Sequence, residues 1–312
     1  MRDSGPPIAI SADNVPKPSL SIRTIALTIL AMTAFAANSL LCRAALGEGA
    51  IDAASFTTVR LASGALTLWL IVRFLRPRST QPRGDWLAAA MLFLYAIAFS
   101  FAYLSLSAGT GALILFGLVQ LTMFAVGLRA GERFAPLSWA GFVIAVIGVA
   151  YLVSPGVTVP SPGGAALMAV AGVAWGIYSL RGRGIADAVS GTAGNFLRSV
   201  PLAVIASALA IGQTQASWAG AGLATASGAF TSAIGYVIWY AALRGLSVTH
   251  AATVQLSVPA IAAVGGVLLL SEPITWRFCL ASAAILGGVA LVLAQRRADL
   301  PAPAFRDARS QD

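Results

Sequence analysis

Three long stretches of this sequence contain no charged residue: Trp86 to Leu128, Phe134 to Leu180 and Ser199 to Leu243. The hydrocarbon core of a bilayer is about 30 Å thick, and a helix needs about 20 apolar residues to cross it. Each stretch therefore has room for two membrane passes joined by a short turn. Helices are the expected form, because lipid provides no water to satisfy unpaired backbone polar groups.

The composition supports the same interpretation, since 58% of the residues are hydrophobic and only 10% are charged. A soluble globular domain usually carries about 25% charged residues. Clusters of small, polar and proline residues around Ser107, between Ser154 and Gly164, and after Gly212 mark turns. The sequence predicts an all-α integral membrane protein with ten transmembrane helices, at residues 23–46, 53–75, 85–106, 111–129, 134–153, 163–181, 189–211, 217–243, 249–270 and 275–295.

An internal repeat divides these helices into two sets of five. One constant offset lays FAANSLLCR, which ends at Arg43, on WGIYSLRGR, which ends at Arg183, and it also lays Glu132 on Glu272. The matched positions occur in the same order in both halves. We therefore predict four regions: a disordered cytoplasmic N-terminus at 1–22, a first five-helix repeat at 23–153, a second five-helix repeat at 163–295, and a cytoplasmic tail at 296–312.

The repeat has a consequence for topology. Because five is an odd number, the second half must cross the membrane in the opposite sense to the first. Inverted repeats of this kind are typical of secondary transporters, which bind their substrates near the membrane midplane, between the two halves. The repeat thus predicts a transporter.

The basic residues favour a topology with both termini in the cytoplasm. Of the 20 lysines and arginines, all but Arg43, Arg60, Arg198 and Arg277 fall on segments that share one side of the membrane. Because basic loops stay cytoplasmic, we predict a multi-pass protein of the bacterial inner membrane. The same distribution explains the net charge of +9 without a nucleic-acid partner, since the charges do not form one binding face.

Two sequence patterns point to a known family. They are an arginine early in the second helix, in FTTVRLASGAL, and a GER or SEP turn before a glycine-rich helix, in GERFAPLSWAGFVIAVIGVAYLV and SEPITWRFCLASAAILGGVALVL. The chain resembles the EamA-type members of the drug/metabolite transporter superfamily over nearly all of its length after residue 22. The resemblance implies an exporter of amino acids or other metabolites, and the chain looks somewhat like the aromatic amino acid exporter branch. Gln120 departs from the pattern, because many relatives carry proline there.

The predicted membrane interior contains two arginines and no acidic residue away from a helix end. Arg60 and Arg198 each lie two or three turns inside a helix, where an arginine near the centre costs about 2.5–3.5 kcal/mol. One interpretation is that one or both face a cavity and attract a substrate carboxylate. The other is that they snorkel or bond to carbonyl groups of neighbouring helices. The sequence does not decide between the two.

Aromatic residues provide a second candidate surface. Tyr95, Phe99 and Tyr103 recur every four residues and form one stripe on the third helix. Such residues can also be plain packing or belong to the interfacial belt, but near the midplane they would suit a cavity for a small amphipathic molecule. The predicted substrate-binding residues are Asn38, Arg60, Tyr95, Phe99, Tyr103, Gln120, Trp175, Tyr178, Arg198, Tyr236, Trp239 and Gln255.

We therefore predict a secondary transporter that exports a small metabolite, an amino acid with an aromatic or other apolar side chain, by facilitated or exchange alternating access. The alternatives are a proton-coupled exporter of drugs or organic cations, which usually needs a buried carboxylate, and a membrane scaffold or sensor. We expect no enzymatic activity, because a nucleophile needs a base within about 3 Å and the single histidine, His250, is placed at the membrane edge. We also expect neither a metal nor a cofactor. The expected partners are a small-molecule substrate and the lipid bilayer, and the glycine-rich fifth and tenth helices are candidates for a homodimer contact.

Overall fold

The structure is a computed structural model that describes residues 21–75, 84–131, 134–154, 160–182, 185–246 and 248–298. Most of the predicted disordered N-terminus and most of the predicted tail lie outside these residues, and the first helix begins at Ile22, within the predicted N-terminus. Also outside the described residues are Glu132 of the GER turn, Arg183 of the repeat, and many of the basic residues that predict the orientation.

The described residues form twelve α-helices, with one isolated bridge between Ile51 and Ala216 as their only β pairing. The helices are α1 (Ile22–Gly47), α2 (Ala53–Leu75), α3 (Trp86–Ala102), α4 (Ala108–Arg129), α5 (Pro136–Val153), α6 (Pro162–Arg181), α7 (Ala188–Leu209), α8 (Trp218–Ala226), α9 (Gly235–Leu243), α10 (Val248–Gln255), α11 (Ser257–Leu270) and α12 (Trp276–Ala298).

The predicted all-helical membrane fold is confirmed. Within the described ranges, nine helical segments are long and apolar enough to cross a membrane. The remaining helix, α3, has 17 residues and spans about 25 Å at a rise of 1.5 Å per residue. It ends at Ala102, whereas the sequence predicts 106, and Arg43 Nη1 donates to the carbonyl groups of Tyr103 and Leu104 beyond this end, at 3.0 and 3.4 Å.

The eighth and ninth spans are interrupted helices. A π-helical segment, Ser227–Ile234, joins α8 to α9 and widens the turn of the helix at that point. The ninth span breaks at Leu256, between α10 and α11, and Pro259 follows in the first turn of α11. Proline removes a backbone donor and clashes with the preceding turn, which explains the break.

The packing of the helices supports the predicted repeat. Helix α2 packs on α7, α4 on α11, and α5 on α12, so these spans contact their counterparts in the other half. Likewise α3 packs on α6 and α1 on α9, and α4 packs on α6 and α1 on α11. If the first and second sets of five spans are interchanged, the contact of α3 with α6 becomes that of α9 with α1, and the contact of α4 with α6 becomes that of α11 with α1. The inverted relation of the two halves itself stays a proposal.

Polar contacts hold both ends of the bundle. At one end, which we call the sealed end, Arg43 on α1 forms an ion pair with Glu272 at 3.1 Å, and Glu272 Oε2 accepts from the Ala108 N–H at 2.8 Å. At the opposite end, which we call the mouth end, Arg181 Nε donates to Asp85 at 2.8 Å. This guanidinium holds the pKa of the Asp85 carboxyl below its usual range.

Candidate functional site

A cavity of about 650 Å³ lies inside the bundle. Its wall is formed by α1, α3, α4, α6, α7, the π-helical segment, α9 and α10. This volume is in the range of about 300–1,000 Å³ that is usual for small-molecule sites. The cavity therefore lies between the two predicted halves, where the sequence places a substrate site.

Most of the predicted binding residues meet at this cavity, although they come from distant parts of the chain. Tyr95 and Phe99 lie on α3, one turn apart, because their spacing of four puts them on one face. The predicted residues that line the cavity are Asn38, Tyr95, Phe99, Gln120, Trp175, Tyr178, Tyr236, Trp239 and Gln255.

Aromatic rings form a continuous stack along one wall. The ring of Trp175 lies 4.8 Å from that of Tyr95, 5.2 Å from that of Tyr178 and 5.4 Å from that of Tyr236, measured between centroids. The last two pairs are close to parallel, with interplanar angles of 27° and 22°. Offset stacking at these distances is favourable for aromatic pairs. Trp175 is thus the centre of the aromatic wall.

Beside the rings lies a group of polar side chains, which we call the polar cluster. Arg60 Nη2 donates to Tyr95 Oη at 3.0 Å, and Arg60 Nε donates to Ser232 Oγ at 3.4 Å. Asn38 Nδ2 also donates to Tyr95 Oη, at 3.4 Å. The complete cluster consists of Asn38, Arg60, Tyr95, Ser227, Thr231 and Ser232.

Arg60 lies directly behind the cavity wall. Its side chain is only 2% exposed and is not part of the lining. The guanidinium carbon lies 5.0 Å from the ring centre of Phe99 and 5.2 Å from that of Tyr95, which are distances for cation–π attraction. The positive charge of Arg60 therefore acts on the cavity through Tyr95 and Phe99, which lie between the guanidinium and the lumen.

Two predicted residues lie elsewhere. Arg198 bonds to the Gly194 carbonyl of its own helix at 3.1 Å and lies 5.8 Å from the ring of Trp86, near the mouth end. Tyr103 is fully buried, beyond the end of α3, and its hydroxyl donates to the Ala108 carbonyl at 3.2 Å. Neither lines the cavity. Tyr103 still follows Phe99 in the predicted stripe, with ring centroids 4.7 Å apart, but it is buried beyond the cavity.

The structure adds lining residues that the sequence does not single out. They include Phe35 on α1, Thr192 on α7, and Thr231 and Ser232 on the π-helical segment. A signal for the last two exists, because hydroxyl groups in an apolar span are often paired with another helix. Nothing in the sequence reveals the π-helical turn that directs them towards α1 and α2.

The two ends of the cavity differ. At the mouth end the lining includes Gly182, Ala186 and Arg244, all of them exposed. Towards the sealed end it stops at Phe99, whose ring contacts the buried ring of Tyr103 at 4.7 Å. The Tyr103 carbonyl in turn accepts from Arg43. Within the part of the chain that the structure describes, the cavity therefore opens at the mouth end and ends at Phe99 and Tyr103 towards the sealed end.

Comparisons with known proteins agree with this architecture. Residues 162–294 match the EamA-like transporter family. A protein of Pseudomonas aeruginosa, the uncharacterized protein PA1977, is 51% identical over 274 residues, which cover 88% of this chain and 96% of that protein. The chain belongs to the EamA-like transporter family. A solved crystal structure shares the fold with a TM-score of 0.61 at 19% identity, over 91% of this chain and 100% of that one.

The family sets the general function. This EamA-like chain is a multi-pass membrane transporter of small molecules. The family resemblance predicted from the FTTVR, GER and SEP patterns is confirmed, while the aromatic amino acid exporter branch stays a prediction.

We expect replacement of Trp175 by alanine to reduce transport about tenfold or more. Each aromatic pair contributes about 0.5–1.5 kcal/mol beyond its buried area, and the substitution removes the ring at the centre of the aromatic wall. Flux into proteoliposomes measures the loss of transport, and the thermal unfolding midpoint measures the loss of stability. Trp139→Ala is the matched control, because Trp139 pairs with Phe124 at 5.5 Å on the lipid side of the bundle and should affect stability but not flux. Equal flux losses in both variants would contradict this.

Proposed function

We propose that this transporter exports an amino acid with an aromatic or other apolar side chain across the bacterial inner membrane. The observation that carries the proposal is the cavity of about 650 Å³, which is lined by stacked aromatic rings and open at one end. Its size and surface suit a small amphipathic molecule with a flat apolar part.

The proposed mechanism is alternating access. A carrier must expose its site to one side at a time, and this cavity is open at the mouth end while Arg43, Tyr103 and Glu272 close the opposite end. Inverted halves provide the second state, because exchanging their conformations opens the other end. Facilitated movement or exchange requires nothing beyond this alternation.

The proposed orientation places the mouth end in the cytoplasm. The distribution of basic residues along the sequence supports it, since Arg73, Arg129 and Arg181 lie in the last turns of helices that end there. With this orientation the described state faces inwards and is ready to load a cytoplasmic metabolite. Both termini then lie in the cytoplasm.

The distribution of charge favours a zwitterion or an anion over an organic cation. Among the described residues that line the cavity, Asp187 is the one acid, and it caps α7 at the mouth end, where its carboxylate accepts from Ser190 at 2.6 Å. Proton-coupled exporters of cations usually need a carboxylate deep in the membrane. Deep in this cavity the nearest charge is the buried Arg60.

Counterflow in proteoliposomes tests the proposal. Vesicles loaded with unlabelled L-phenylalanine should accumulate external labelled L-phenylalanine transiently, and a pH gradient should not be required. A scaffold or a sensor gives no counterflow. Acceleration by cationic dyes together with a strict need for a proton gradient would instead support the organic-cation alternative.

A further inference from the structure

The polar cluster contains a buried positive charge without a negative partner. Arg60 is 2% exposed, and both of its hydrogen bonds in the described structure go to neutral hydroxyl groups. Its third nitrogen, Nη1, is buried and has no hydrogen-bond partner. An unpaired charge in a low-dielectric interior is costly, and it is retained where it has a function or a ligand.

The hydroxyl groups next to Arg60 are left with unused donors. Tyr95 Oη accepts from both Arg60 Nη2 and Asn38 Nδ2, so the hydrogen of its own hydroxyl is available. Ser232 Oγ accepts from Arg60 Nε in the same way. Both residues line the cavity, whereas Arg60 does not. The positive charge of Arg60 therefore polarises two hydroxyl groups that can donate hydrogen bonds into the lumen.

Asn38 adds a third donor. Its amide oxygen accepts from the Ser227 hydroxyl at 2.7 Å and from the Thr231 hydroxyl at 3.3 Å. These bonds place the amide nitrogen on the side of Tyr95, where Asn38 also lines the cavity. The amide nitrogen has two hydrogens, and Tyr95 takes one of them. The second is available to an acceptor in the lumen.

We infer that the polar cluster is a carboxylate-binding site, in which Tyr95, Ser232 and Asn38 contact the carboxylate and Arg60 polarises the hydroxyl groups of Tyr95 and Ser232 from behind. A carboxylate is an acceptor with two oxygens, so it can satisfy several such donors at once and supply the missing negative charge. This inference rests on the proposed function and specifies which end of the transported molecule enters first.

Tyr95 also belongs to the aromatic wall, since its ring lies 4.8 Å from that of Trp175. The ligand that fits therefore carries its carboxylate within a few bonds of a flat apolar group. Aromatic amino acids have this arrangement, and so do simple aromatic carboxylic acids. Among the described residues deep in the cavity, there is no acid that could bind the amine of a ligand.

Ligand-induced thermal stabilisation of the purified full-length protein tests the site without requiring transport. The four probes are L-phenylalanine, 3-phenylpropionate, L-phenylalaninamide and phenethylamine. We expect stabilisation by the two acids only, and Tyr95→Phe should weaken the apparent affinity for them about tenfold or more, because a hydrogen bond to a charged group is lost. Ser232→Ala should act in the same direction.

Tyr240→Phe is the matched control, because Tyr240 lines the same cavity but its hydroxyl pairs with Thr192 at 2.7 Å, away from Arg60. It should weaken the apparent affinity for the two acids much less than Tyr95→Phe does. Tyr95→Phe keeps the aromatic ring, so it should fold even if substitutions of Arg60 do not. Equal responses to acid and amide, or no response to either acid, would overturn the inference.

The two proposals can fail separately. If the acids bind in a Tyr95-dependent manner but show no counterflow, the carboxylate site stands and export fails. If L-phenylalanine is transported but Tyr95→Phe reduces its transport no more than that of L-phenylalaninamide, export stands and the carboxylate site fails.

Discussion

Replacing Arg43 by glutamate should open the sealed end and stop net export. The substitution removes the 3.1 Å ion pair with Glu272, removes the donor that holds the Tyr103 carbonyl, and places two carboxylates side by side. The side chains of the pair are only 26% and 13% exposed, so solvent screens the repulsion poorly. A change of about 1.4 kcal/mol already shifts a two-state equilibrium tenfold.

Cysteine accessibility measures this shift directly. A cysteine at Gln120, in a background with Cys42 and Cys279 replaced, should react with an impermeant maleimide from outside the cell several-fold faster when Arg43 is glutamate. In the unchanged background it should react from the cytoplasmic side. The reciprocal exchange, Arg43→Glu with Glu272→Arg, should restore part of the closure, because it re-forms the ion pair but not the bond from the Ala108 N–H.

Arg277→Glu controls for a change of charge at the same end. Arg277 lies on α12 and donates to the Tyr151 and Ser154 carbonyls of α5 and the turn after it, so it does not bridge α1 and the turn before α12. External labelling should stay low in this variant. If Arg43→Glu lowered export without raising external labelling, the contacts of Arg43 would be purely structural.

The helices were predictable because their boundaries are encoded locally. Five helices begin with a serine or aspartate cap, whose side-chain oxygen accepts from backbone N–H groups in the first turn. These caps are Asp85, Ser107, Ser161, Asp187 and Ser217. Such caps follow or interrupt apolar runs, and a single sequence reveals both features. The end of α3 was not predictable from the local sequence, because Tyr103 to Leu106 contain no charged residue, glycine or proline. The side chain that bonds to the carbonyl groups beyond this end, Arg43, lies about sixty residues away in the chain.

The candidate site was predictable only in part. Periodicity shows that Tyr95 and Phe99 share a face, and burial of an arginine in an apolar span marks Arg60 as unusual. Neither pattern shows whether a face points to the cavity or to another helix. Arg60 and Arg198 have similar sequence settings, yet one lies behind the cavity wall and the other bonds to its own helix near the mouth end. Only the packing of helices from both halves separates them.

The contact between α5 and α12 gives the largest expected effect on stability. A Cβ atom added at Gly141 would lie 2.5 Å from the Gly288 carbonyl oxygen, and one added at Gly288 would press on the Gly141 carbonyl oxygen in return. Without a hydrophobic driving force in lipid, helices associate through such close backbone approach. The glycines predicted to allow close packing therefore act within one chain, and the homodimer contact stays a prediction.

We expect Gly288→Leu to prevent stable packing of α12, because the added side chain meets backbone atoms of α5 that cannot rotate away. The purified variant should aggregate on size exclusion in detergent or unfold at a clearly lower temperature. Gly287→Leu is the adjacent control, since nothing lies within 4 Å of a Cβ atom there, and leucine favours a helix by up to about 1 kcal/mol over glycine. Its unfolding midpoint should therefore stay the same or rise. Equal losses at the two positions would mean that added bulk anywhere on α12, rather than the contact with α5, destabilises this span, and the close approach would then contribute little to the fold.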